Sequence, residues 1–372
     1  MKQPLTVLQI LPALDSGGVE RGTLDIGRAL VAAGHRSLVM SAGGRMVERL
    51  VAEGSEHLSR DIGRKSLFTL RHVLPLRRLL ASGTVDIVHL RSRLPAWIAW
   101  LAWMSLAVSR RPRLVSTVHG PYTPNSYSAV MMRGERVIAI SETIRDYIRR
   151  HYAVPERKVR LIYRGIDPAE FPYGHRPAAD WLNRWQTEYP QLEGKKLLAV
   201  PARLTRWKGQ EDLIELVGRL LAAGEPVHGL LVGETQKGRE DFARELRQKI
   251  AAIGLDAHIT FTGHRSDLRD VMAASDIVYS LAREPEAFGR VPVEALALGV
   301  PTIGYDHGGV GESLRAIYPA GLVPLGDMDA LVAKTRAFLK SPPPVPPGQP
   351  FTLQRMTDAT LALYQELVAS PR

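Results

Sequence analysis

The chain has 372 residues, 45% of them hydrophobic and 23% charged, which is enough apolar mass for two cores at roughly 150 residues per domain. It has no cysteine, which excludes disulfides, thiolate metal sites and a cysteine nucleophile. The net charge of +11 lies in one half, with 26 Lys and Arg against 14 Asp and Glu in residues 1–175 but 23 against 24 in 176–372; nucleic acid, anionic membrane and phosphorylated glycans all fit a basic half, as does a solvated basic surface.

The opening MKQPLTVLQILPAL is too short an apolar run for a signal peptide and continues into a glycine loop. TVLQIL (6–11) reads as a strand, and DSGGVERG (15–22) opens a helix that runs through Leu30 and stops near Gly34. This loop is not GxGxxG, and alone it signals a tight turn with anion contact. Residues 65–80 combine an apolar face with Arg71, Arg77 and Arg78, a pattern shared by interfacial helices and by packed helices with a basic solvent face. LVM (38–40), DIVHL (86–90), LVSTV (114–118) and RVIAI (136–140) are further short β-branched runs, as expected of a parallel sheet covered on both faces. The stretch from Leu94 to Ser109 falls short of the ~20 residues a membrane span needs, so it reads as a buried or interfacial helix, with Trp97, Trp100 and Trp103 in the core.

The same rhythm returns after residue 190. LLAV (197–200), HGLLV (228–232), ITFT (259–262), DIVYS (276–280) and TIGY (302–305) alternate with helices such as 209–222 and 239–253. The polar stretch 172–194 has no clear period and marks the domain boundary. SPPPVPPGQP (341–350) is irregular, and 353–369 is an amphipathic helix.

Ligands of open parallel sheets bind outside the carboxyl ends of the strands. The chemically interesting residues follow strands: Gly17 and Gly18, His119, Ser141, Arg203 with Lys208, and Glu286. In EAFGRVPVE, Phe288-Gly289-Arg290-Val291 leads into a helix whose free N–H groups suit a phosphate. Glu286 there can accept from sugar hydroxyls, and Glu294 from a ribose. Both carboxylates also read as ordinary surface charges. In ARLTRWKG, Arg203 and Lys208 bracket a strand–helix loop, where two cations would stabilise a departing diphosphate. A lone strand-end His119 reads more readily as a satisfied structural residue. Asp327-Met328-Asp329 matches a metal-holding aspartate pair but stands directly before a helix, where Asp is an N-cap. No other ligand cluster is visible, so no metal is expected.

The ordered set GGVERGTLDIGRALVAAGH, VHG (118–120), SETIRDYI (141–148), IYRGID (162–167), ARLTRWKG, FTGHRSDLRDVMAASDIVYS and EPEAFGRVPVEALALGVPTIGYDHGGVGE resembles the family-4 retaining glycosyltransferases of the GT-B fold. The resemblance implies an α/β protein of two doubly wound, Rossmann-like domains facing across a cleft. Residues 1–172 would bind the acceptor, 173–350 the nucleotide sugar, and a C-terminal helix in 351–372 would pack back toward the first domain. By that resemblance, Arg203 and Lys208 hold the donor pyrophosphate, and Glu294 the ribose. Glu286 and the backbone of Phe288, Gly289, Arg290 and Val291 contact the transferred sugar. Gly17 and Gly18 face the phosphates or acceptor, His119 contacts the sugar near the reacting carbon, and the base lies near Gly263 and His264. No cofactor is implied beyond the nucleotide-diphosphate sugar as co-substrate. Arg164 departs from the pattern, many members having Asn there.

LPALDSGGVERG and HLRSRLPAW look most like bacterial enzymes that build the lipopolysaccharide core. That resemblance implies a cytoplasmic enzyme, an anionic glycan or glycolipid acceptor, and peripheral contact with the inner-leaflet surface. A sugar-nucleotide epimerase on the same fold is the nearest alternative. A nucleic-acid-binding protein, suggested by a pI of about 9.9, lacks any recognition signature.

Overall fold

The computed structural model describes residues 4–15, 17–235 and 240–371; Ser16 of the glycine loop and residue 239, the expected start of a helix, lie outside them. The chain divides into two compact units, Met1–Gly165 with Leu353–Arg372, and Ile166–Thr352.

The first unit runs β1 (Thr6–Ile10), α1 (Gly18–Ala32), β2 (Arg36–Ser41), α2 (Val47–Ala52), β3 (Glu56–Ser59), α3 (Val73–Ala81), β4 (Ile87–Leu90), α4 (Arg93–Met104), β5 (Arg113–Val118), β6 (Arg136–Ala139), α5 (Glu142–His151) and β7 (Val159–Leu161). The second runs α6 (Ala179–Glu188), β8 (Lys196–Pro201), α7 (Gln210–Ala222), β9 (Val227–Val232), α8 (Asp241–Ala252), β10 (Ile259–Gly263), α9 (Leu268–Ala273), β11 (Ile277–Ser280), α10 (Arg290–Ala297), β12 (Thr302–Tyr305), α11 (Gly308–Ile317), β13 (Leu322–Val323) and α12 (Met328–Lys340). The chain then returns to the first unit through α13 (Leu353–Ala369).

Both sheets are wholly parallel, in the orders β3-β2-β1-β4-β5-β6-β7 and β10-β9-β8-β11-β12-β13. Their central strands are buried on both faces and largely apolar because helices cover both, with Gln9 and His89 as buried polar exceptions in the first sheet. Val7, Ile87, Val115 and Ile138 of four adjacent strands meet Ile26 and Leu30 of α1 and Met356, Leu363, Tyr364 and Leu367 of α13 in one cluster. The last helix therefore completes the first unit's core. Tyr364 is fully buried, and its hydroxyl lies 2.6 Å from His89 Nδ1.

Several elements differ from the sequence reading. Residues 172–194 are not all irregular: they contain α6, whose Trp181 and Trp185 stack at 5.1 Å against Leu197 and Leu230. Two apolar residues one turn apart are too few to register as a period. The edge strands β3, β7 and β13 are short, and EHLS of β3 is too polar to signal a strand. Residues 65–80 are not one helix. A 3₁₀ turn over Leu67–His72 precedes α3, so Leu76 and Leu80 point inward while Leu67, Phe68 and Leu74 point outward. The three tryptophans of α4 are half-buried rather than core; the indole N–H of Trp97 donates to Tyr127 O and that of Trp103 to Pro112 O. Among the described residues, no helix is long and apolar enough to cross a membrane.

Candidate functional site

In a doubly wound sheet the crevice opens where successive strands depart in opposite directions. In the second unit that point lies between β8 and β11, and in the first between β1 and β4.

Lys208 follows β8 and Glu286 follows β11, and their side chains meet at 2.7 Å across the switch point, both largely buried. Trp207 lies under the same ammonium, with Nζ 4.2 Å from its ring centre. An anchor beneath the two loops escaped the sequence reading. Arg283 donates from its backbone to Trp207 O at 2.8 Å and from its guanidinium to Asp212, whose buried carboxylate also accepts from Tyr305 Oη at 2.8 Å. Nothing in the spacing of Asp212, Arg283 and Tyr305 announces that they meet.

The helices around this point start without side-chain caps. Gly209 (φ 78°) precedes α7, Gly289 (φ 73°) precedes α10 and His307 precedes α11, none with a side-chain cap bond. By contrast, Ser141 caps α5 and Asp327 caps α12. Left-handed backbone favours glycine, and an uncapped start leaves N–H groups for an anion. Packing is close as well: a side chain at Gly289 would come within 2.8 Å of Val310 Cα, and one at Gly309 within 2.5 Å of Phe288. The Gly309 amide donates to Glu286 O at 2.7 Å, which ties α11 to the loop that carries the carboxylate.

The remaining candidates fall in several places. Arg203 is exposed in the loop after β8, with its carbonyl accepting from Gln210. The Phe288 ring is buried edge-to-face against Phe351, so only its backbone is left for a ligand. Val291 packs into the core beside Val278 and Ala295. Glu294 is buried and paired with Arg290 one turn earlier. Gly263 ends β10 and His264 is exposed after it, on the same edge of the sheet but beyond β9. Asp329 pairs with Arg219 at 2.6 Å, so the Asp327–Asp329 doublet serves a cap and an ion pair.

In the first unit, Gly17 is the N-cap of α1, and the Glu20 carboxylate folds back over it, to within 2.6 Å of where a Gly17 Cβ would stand. That helix start thus already faces an anion of its own. Gly18 beside it is open. His119 follows β5 and Arg91 follows β4. Arg91, almost fully buried, donates from Nη1 to Gln9 Oε1 at 3.0 Å, and burial lowers its pKa to about 10. Arg164 reaches His119 Nδ1 at 2.8 Å. Burial, then Arg164, Arg91 and His89, hold the His119 pKa well below the ordinary value. Sequence reasoning noted Arg164 as a departure, but neither its partner nor the buried guanidinium of Arg91 was legible.

Residues 16–170 match the family model Glycosyltransferase Family 4, and 183–347 match Glycosyl transferases group 1. Mannosylfructose-phosphate synthase of Agrobacterium fabrum is 29% identical over 47% of this chain and 38% of that protein. The lipopolysaccharide core biosynthesis mannosyltransferase LpsB of Rhizobium meliloti is 28% identical over 49% of this chain and 55% of its own length. The chain thus spans about half the length of these curated relatives. A crystal structure of a glycosyltransferase from Rickettsia africae superposes over 100% of both chains with a TM-score of 0.86 at 27% identity.

Proposed function

The chain belongs to the glycosyltransferases of the GT-B fold, with a family model matching each half, and from that premise we propose that it moves a sugar from a nucleotide-diphosphate donor to a glycan acceptor, with retention and without a metal ion. The observation that carries this reading is the Lys208–Glu286 pair at the switch point, flanked by the uncapped starts of α10 and α11. As the bond from the anomeric carbon to the diphosphate oxygen breaks, negative charge gathers on the diphosphate. Lys208, Arg203 and the N–H groups at Gly289–Val291 supply fixed positive charge for it. Glu286, oriented by Lys208, takes hydrogen bonds from sugar hydroxyls. The acceptor hydroxyl attacks the face that the diphosphate leaves. One C–O bond forms, one breaks, and the hydroxyl proton passes to the departing phosphate oxygen. No covalent enzyme intermediate is required.

The acceptor we propose is an anionic glycan or glycolipid, of the lipopolysaccharide core class. The likeness to the core mannosyltransferase and the excess of 12 positive charges in residues 1–175 support this choice. Lys208→Ala and Glu286→Gln should each lower transfer about 100-fold or more with the fold intact, and EDTA should leave transfer unchanged. Full activity in both variants would refute the site. A free epimerised sugar nucleotide as product, in place of an extended glycan, would refute transfer.

We also propose that the first unit docks on an anionic lipid surface. Leu67, Phe68 and Leu74 are 86%, 76% and 64% exposed, in a stretch that also exposes Arg64, Lys65, Arg71, Arg77 and Arg78, with Arg71 over the Phe68 ring. A bilayer interface takes up both kinds of side chain, each basic residue adding about 1 kcal/mol near anionic lipid. The protein should sediment with phosphatidylglycerol-containing vesicles and lose this with Leu67→Ser/Phe68→Ser; equal non-binding to neutral and anionic vesicles would remove the reading.

A further inference from the structure

Arg164 is where the sequence leaves its family's pattern, and its surroundings assign it a task. Its backbone N–H is tied to Ile140 O at the end of β6. From there the side chain crosses to His119, placing Nη2 2.8 Å from Nδ1. A guanidinium has N–H donors and no acceptor, so Nδ1 must present its lone pair. The imidazole is therefore neutral with its proton on Nε2, and this nitrogen is shut off from solvent with no partner among the described residues. A buried N–H left unpaired costs about 1–3 kcal/mol, which an incoming oxygen acceptor recovers.

The route of Arg164 depends on a second residue. A Cβ on Gly22 of α1 would lie 1.8 Å from Arg164 Nη1, 2.9 Å from its Cζ and 3.0 Å from Arg91 Nη2. Any side chain at 22 would evict the guanidinium. Ordinary helix energetics offer no reason for this glycine, since Ala in a helix interior is favoured by about 1 kcal/mol.

We propose that Arg164 is a positioning residue that fixes His119 as a neutral, Nε2-protonated hydrogen-bond donor to a substrate oxygen, and that Gly22 is glycine to let it pass. His119 is then neither a general base nor a nucleophile, because the lone pair either role needs is occupied by Arg164. The charged and titratable groups that bear on the ring agree: Arg164 from the loop after β7, Arg91 and His89 from β4 and its end, and Tyr122 from the loop after β5, whose hydroxyl accepts from the His119 backbone N–H. The carboxylates of α1, Glu20 and Asp25, act on Arg91. The neighbouring cations therefore disfavour imidazolium.

The tautomer can be measured without knowing any substrate; only its use in transfer rests on the proposed activity. In full-length protein with ¹⁵N-labelled histidine, assigned through His119→Gln, long-range ¹H–¹⁵N spectra should show an Nε2–H ring that stays neutral below pH 6. In Arg164→Met, both tautomers should appear and the ring should take up its proton at a higher pH than in the wild type, with burial, Arg91 and His89 still opposing the charge. Gly22→Ala should reproduce that change, while Gly22→Ala/Arg164→Met should fold as well as Arg164→Met. Transfer by either single variant should fall off toward acid at a higher pH than transfer by the wild type does. Arg164→Lys, which keeps a donor, should move back toward the wild-type profile. An Nδ1-protonated ring in the wild type, or an unchanged tautomer and titration in Arg164→Met, would overturn the proposal. If the spectra behave as stated but no transfer is found, the proposed activity fails and the assignment of Arg164 stands.

Discussion

Lys208 and Glu286 stand 78 residues apart and meet at 2.7 Å, so each is the other's nearest opposite charge. Removing either one leaves a half-buried partner unsatisfied as well as deleting its own contact with the donor. The losses in Lys208→Ala and Glu286→Gln should then overlap, and the double variant should transfer little worse than the poorer single. Strict multiplication of the two losses would mean that the residues act separately. Their place at the carboxyl edge of the sheet was legible in the sequence because each lies in the loop after a strand, whereas their pairing was not. The fates of Phe288 and Glu294 were not. Position in EAFGRVPVE says that these residues lie at a helix start, but the ring of Phe351 and the guanidinium of Arg290 decide that one side chain is buried and the other paired.

At the level of elements, the proposed phosphate contacts rest on helix starts, and Gly289 at the start of α10 is buried against α11. Ala there would combine a φ of 73° with an approach of 2.8 Å to Val310 Cα. Gly194 has nearly the same φ, 69°, but open space around it. Gly289→Ala should cost about 1–3 kcal/mol by denaturant unfolding and abolish donor binding, while Gly194→Ala should cost about 1 kcal/mol and leave binding intact. Equal effects would mean that backbone conformation alone matters at 289, and the packing of α10 on α11 would drop out of the account. Strands with two covered faces announced themselves as apolar runs, whereas β3, β7, β13 and α6 did not. Edge strands and a helix pinned by two tryptophans bury too little to leave a period in the sequence.

Across the whole molecule, buried neutral histidines set the response to acid. Burial holds the pKa of His89 and His119 well below the ordinary value and that of His228 at about 4. In the unfolded chain these rings take up protons near 6.5, so between that pH and their lower folded values the unfolded state binds more protons. Stability should therefore be level above about pH 7 and fall as pH drops from 6.5 toward 4, as read by urea unfolding at several pH values. A stability independent of pH across that window would contradict the buried, neutral assignment. One of these rings, His89, is held by Tyr364 of α13, 275 residues away. The amphipathic pattern of 353–369 foretold a helix, but the hydroxyl that closes it onto β4 belongs to tertiary structure alone.

Everything in the proposed mechanism requires the donor diphosphate to lie against the second unit's switch point. A crystal structure with a bound nucleotide sugar, chosen by a thermal-shift screen of UDP-, GDP- and ADP-sugars, tests this directly. Phosphate oxygens are expected within hydrogen-bond distance of Lys208, Arg203 and the 289–291 amides, with Glu286 on the sugar. A diphosphate bound anywhere else, or bridged to the chain through a metal ion, would contradict the mechanism.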